Sequence, residues 1–135
     1  MCVEIKRSKV SLKKAQDALK EYEKCGGDEW LDSACFDTQQ AIEFLLKGIL
    51  LSFGIEYERK HDIFYLVELI RKTDLVVPRL DELELLASTL TSWEEGSRYG
   101  KGIKTSINTV RRFHNIYSDI LQAFLDRQEE RLTDL

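Results

Sequence analysis

Between Gly96 and Ser118 the chain reads GSRYGKGIKTSINTVRRFHNIYS, which holds five basic residues, Arg98, Lys101, Lys104, Arg111 and Arg112, and no acid. The full 135-residue chain carries a formal net charge of -4, so this stretch inverts the local sign. Mobile cations, a glycine-rich turn with free N–H donors and the positive end of a helix are what a phosphate group needs. Arg98, Lys104 and Arg111 are therefore candidate phosphate ligands, and Tyr99 offers a ring for stacking on a base. The same flank can instead be a solvated face paired with Asp81, Glu82, Glu84, Glu94 and Glu95. His114 points into an apolar stripe between Val110, Tyr117 and Leu121. A histidine placed there serves either as a hydrogen-bonded core group or as a general acid–base.

A second polar set interrupts a greasy segment, ACFDTQQAIEFLLKGILLSFGI from Ala34 to Ile55. At about 100° per residue, Ala34, Cys35, Ala41, Ile42, Leu45, Leu46, Ile49 and Phe53 form one broad core arc with Gln39 at its edge. Gln40, Glu43 and Lys47 fall together on the far side, hemmed by Phe36, Phe44, Leu50 and Leu51. Such a rod is central in its bundle or shared with a second subunit. The seam is then either wet, or covered by another copy of the chain or a charged small molecule. In the covered case Lys47 joins the candidate phosphate ligands, and His61 is expected as a lid over it, with Asp62 capping the next helix. No HExxH, Walker loop, GxSxG or GxGxxG pattern occurs. Three cysteines without CxxC spacing argue against a disulfide framework and against zinc, so no metal or cofactor is expected.

The elements that position these residues read as helices throughout. Glycines at 26–27, 54 and 96–102, with the single proline Pro78, are the punctuation. A first helix is expected over 8–24, with Leu12, Ala15, Leu19 and Tyr22 inward. The second is the greasy rod, capped by Asp32 or Ser33 and stopped by Gly54. A third runs from His61-Asp62 to Lys72. A fourth, after Pro78, carries Leu83, Leu86, Ala87, Leu90 and Trp93. The fifth spans 103–131, with Ile107, Val110, Phe113, Tyr117, Ile120, Leu121 and Phe124 on one face. The expectation is an all-α, five-helix up-and-down bundle occupying 1–135 as a single domain. No apolar run is long enough to span a membrane, and MCVEIKRSKV lacks the apolar centre of a signal peptide, so the chain is read as cytoplasmic. A mildly acidic chain is poorly suited to wrap duplex nucleic acid, which leaves local contacts only.

The run CFDTQQAIEFLLKGILLSFGI followed by HDIFYLVELI resembles the HEPN domain (higher eukaryotes and prokaryotes nucleotide-binding). Gln39, Gln40, Ala41, Glu43, Leu46, Lys47, Gly54, His61, Asp62 and Leu66 match the family pattern in order, and Ser97-Arg98-Tyr99 resembles its RYP signature with Gly100 in place of proline. The resemblance implies a five-helix bundle, usually dimeric, in prokaryotic proteins often encoded beside a minimal nucleotidyltransferase, as in toxin–antitoxin-like pairs. It also implies binding of nucleotide or RNA. The ribonuclease branch of the family places an arginine four to six residues before a histidine on the last helix. Here Ile107, Asn108 and Thr109 stand where that arginine belongs, and Ile116 stands where some members carry tyrosine. A degenerate catalytic site would have to use His114, Asn108 and a neighbouring arginine. The readings left open are a non-catalytic binding module, a divergent metal-independent ribonuclease using His114, and a pure protein-interaction subunit.

Overall fold

Two glycines make the first turn. Gly26 and Gly27 sit at φ 69° and 100°, a region open to glycine at little cost, and they fold α1 (Val3–Cys25) back onto α2 (Asp28–Ser52) with no further linker. The computed structural model describes residues 2–59, 62–98 and 105–133. Beyond this hairpin it comprises α3 (Ile63–Arg71), α4 (Leu80–Leu85), α5 (Ala87–Arg98) and α6 (Ile107–Thr133), with no strand among the described residues.

The all-α bundle is as expected, and the helix count is six where five were anticipated. Leu86, with φ -99° and ψ 4°, leaves helical geometry and divides the anticipated fourth helix into α4 and α5. α1 begins at Val3, five residues before the expected start. α2 begins at Asp28, because the glycine turn is short and Asp28 and Glu29 suit the positive end of the helix; Asp32 and Ser33 lie inside the helix and not at its cap position. The end of α2 is as anticipated. Gly54 adopts φ 70°, and the bonds Gly54 N–H to Leu51 O (3.0 Å) and Ile55 N–H to Leu50 O (2.9 Å) form a Schellman closure. Asp62 caps α3, accepting from the Phe64 N–H at 2.9 Å. Residue 103, the expected start of the last helix, lies outside the described residues, and Ser106 caps α6 by accepting from the Thr109 N–H at 3.2 Å.

α2 is the central rod. Fourteen of its residues are buried, and it packs against α1, α3, α5 and α6. α1 lies antiparallel to it in very close contact: a Cβ on Gly48 would come within 2.5 Å of Ile5 Cδ1. α6 runs parallel to α2, since Thr38 meets His114 while Ile49 and Phe53 lie near Ile120, Phe124 and Arg127. Residues 53–59 turn back along α2, bringing the Tyr57 ring within 5.6 Å of Lys47 Nζ. α3 then descends in the same sense as α2, so strict up-and-down alternation is broken once. α5 rises again, antiparallel to α3 and α6, with Trp93 edge-on to Phe113 at 5.1 Å between ring centres.

Candidate functional site

The polar seam of α2 is built from residues one turn apart, Gln39, Glu43 and Lys47, which share a face by the i, i+4 rule. Gln39 Nε2 donates to Glu43 Oε1 at 3.1 Å, Lys47 Nζ donates to Glu43 Oε2 at 3.1 Å, and Gln40 Nε2 donates to Gln39 Oε1 at 2.8 Å. Gln39 is 0 % exposed, Glu43 1 % and Lys47 9 %. The wheel put Gln39 at the edge of the core and left the seam open to solvent, a ligand or a partner. In the structure Gln39 belongs to the seam, Gln40 flanks it half-buried, and the chain itself covers it. Tyr57 lies over the ammonium group, and desolvation raises its phenol pKa, with Glu4, Cys2 and Glu43 adding to the shift. Lys47 is thus occupied inside the fold. His61, expected as its lid, lies outside the described residues.

His114 occupies the α2–α6 interface. Its Nε2 and Thr38 Oγ1 are hydrogen-bonded at 2.8 Å, and burial drives its pKa down to about 4. At neutral pH the ring carries no charge. One turn further along, Tyr117 Oη pairs with Ser8 Oγ at 2.8 Å, and Ser8 in turn donates to Ile5 O at 2.7 Å. These two buried polar bonds tie α6 to α2 and α1, and no buried side-chain nitrogen or oxygen among the described residues lacks a partner. Asn108, the other candidate for a degenerate catalytic site, is exposed; six helical positions set it about 120° around α6 from His114. The structure does not bring the two together.

Of the basic segment, Tyr99, Lys101 and Lys104 lie outside the described residues, as does the Arg98 side chain at the end of α5. Arg111 and Arg112 are described, and each carries a carboxylate from another helix. Arg111 Nη2 donates to Glu23 Oε1 of α1 at 2.6 Å, and Arg112 Nε donates to Glu82 Oε1 of α4 at 2.6 Å. Pairing with the acidic run holds for Arg112 and Glu82; Arg111 instead reaches α1. Both arginines are about half exposed, so their pairs are of the kind worth roughly 0.2–1 kcal/mol.

Sequence reasoning missed Thr38 as the partner of His114, Glu23 as the partner of Arg111, and Arg79. Thr38 had a signal, a hydroxyl on the core side of an otherwise apolar arc. Arg79 had none. It adopts a left-handed φ of 59° immediately before α4, and its guanidinium grips Glu82 through Nε and Nη2 at 3.0 Å and Asp119 of α6 through Nη1 at 3.0 Å. Arg79, with help from Arg112, holds the Glu82 carboxyl down to about 2.

Fold and site together define a helical bundle in which buried His114 is neutral and bonded, and in which Arg111 and Arg112 of the basic segment sit at the α1–α6 and α4–α6 edges. The HEPN domain model matches residues 8–128, and the chain belongs to the HEPN domain family. Comparison with curated proteins and with solved structures gives no match. Among the described residues no helix is long and apolar enough to cross a membrane, and no group of three or more His, Cys, Asp or Glu residues is placed to hold a metal ion.

Proposed function

We propose that this HEPN chain is a non-catalytic module that binds a nucleotide or an RNA phosphate on its basic segment, as a homodimer and beside a minimal nucleotidyltransferase partner in a toxin–antitoxin-like pair. Family membership supports a nucleotide- or RNA-related role. The observation that carries the non-catalytic part is the burial of His114 against Thr38. An imidazole with a pKa near 4, with Ile107, Asn108 and Thr109 where the family's nucleases need arginine, presents no paired acid and base to a phosphodiester. What remains for a phosphate is the run of basic side chains, of which Arg111 commits one N–H donor to the half-exposed Glu23 carboxylate and opens at low cost, while Arg112 is held more firmly on the less exposed Glu82.

The test is a titration of labelled single-stranded RNA, and of free nucleotides, into the purified protein at several salt concentrations. The expected affinity falls as salt rises, and Arg111→Glu weakens it about equally for all sequences while lowering the salt slope by about one. Absence of binding at low salt would eliminate the phosphate module and favour the protein-interaction subunit.

A further inference from the structure

Phe53, just beyond α2, carries two cations on one ring: the Arg127 guanidinium carbon lies 5.1 Å and that of Arg131 5.4 Å from the ring centre. The two arginines are one turn apart on α6, where like charges repel. Elsewhere Arg71 pairs with Asp81, Arg79 with Asp119, Arg111 with Glu23 and Arg112 with Glu82. Arg127 and Arg131 have none among the described residues. Phe53 also lines an apolar cavity of about 20 Å³ between the C-terminal end of α2, the second half of α6 and residues 75–78, together with Ile49, Leu75, Val77, Ile120, Ala123 and Phe124. Val76, 85 % exposed, and Arg127 also line it.

We propose that this end of the bundle binds a small carboxylate amphiphile, its head on Arg127 and Arg131 and the tip of a straight acyl chain in the cavity that Phe53 lines. A carboxylate answers the repulsion between the two guanidinium groups and matches their planar donors. The cavity admits little more than one methyl-sized group, so the part that enters is slender and a nucleobase does not fit. Exposed Asp126, Glu129 and Glu130 on the same turns of α6 oppose a polyanion or an anionic bilayer more strongly than a single negative head. The site lies at the opposite end of α6 from the basic segment and is independent of phosphate binding there.

Methyl resonances of Ile49, Val77 and Ile120 followed by NMR during a titration with octanoate test this, with 1-octanol as the uncharged control. The expected result is saturable shifts with half-saturation below about 1 mM for octanoate and at least tenfold weaker for octanol. The surface double variant Arg127→Gln/Arg131→Gln should lose about tenfold, and Ala123→Leu, which fills the cavity, should abolish the shifts. The double variant changes only exposed side chains, so a folding defect in Ala123→Leu does not remove the test. Octanoate without effect, octanol equal to octanoate, or an unchanged affinity in the double variant would each overturn the proposal.

Discussion

Replacing His114 with glutamine separates a core histidine from a functional one, because its burial has a calculable pH signature. In the folded chain the imidazole is held at about 4, against an ordinary value of about 6.5. Between those values the unfolded chain binds a proton that the folded chain does not, so stability rises with pH through this window. The contribution is fully present above about pH 6.5 and is lost as pH falls toward 4. For one group with these two values the loss between about pH 7 and pH 5 is about 2 kcal/mol. His114→Gln keeps a polar group for Thr38 but does not titrate. Urea denaturation of both proteins at several pH values therefore isolates the histidine, because the contributions of Glu82 and Asp37, whose carboxyl pKa values are shifted in opposite directions, cancel in the difference. The natural chain should lose about 2 kcal/mol more than the variant over this range. Parallel curves would mean that His114 titrates as in water, which its burial forbids, and the reasoning would fail.

Other substitutions test the packing and the seam. Gly48→Ala should destabilise by about 1–3 kcal/mol in urea melts despite alanine's higher helix propensity, because its Cβ would lie 2.5 Å from Ile5 Cδ1; a gain in stability would show that α1 yields freely. Lys47→Ala removes the cation 3.1 Å from buried Glu43 and should cost on the order of 3 kcal/mol, whereas a loss below about 0.5 kcal/mol would mean the seam is solvated. At Arg79, with φ 59°, glycine should be more stable than alanine by about 1 kcal/mol in calorimetry, both having lost the ion pairs; equality would contradict the left-handed backbone.

The helical elements were legible because their apolar positions recur at helical spacing and glycines mark their ends. Gly54 and Asp62 could be read directly, since a left-handed stop and a carboxylate cap are local chemistry. The break at Leu86 was not, because no glycine or proline marks it. The seam shows the limit more sharply. The wheel identified Glu43 and Lys47 as a polar pair on an apolar rod, but the returning segment that lays Tyr57 over Lys47 is a tertiary event that helical periodicity does not encode. His114 was placed in the apolar stripe by spacing alone, and its partner came from another helix, 76 residues earlier. The basic run was visible as composition; that Glu23 and Glu82 reach its arginines from α1 and α4 was not.

Binding without cleavage is read from one sample of end-labelled RNA with the purified protein in chelator, by following fluorescence anisotropy and RNA length together. Anisotropy should rise on adding protein and fall as salt is raised, while the RNA stays full length. Cleavage without metal that disappears in His114→Ala would show that the buried histidine acts on phosphodiesters, and would contradict it.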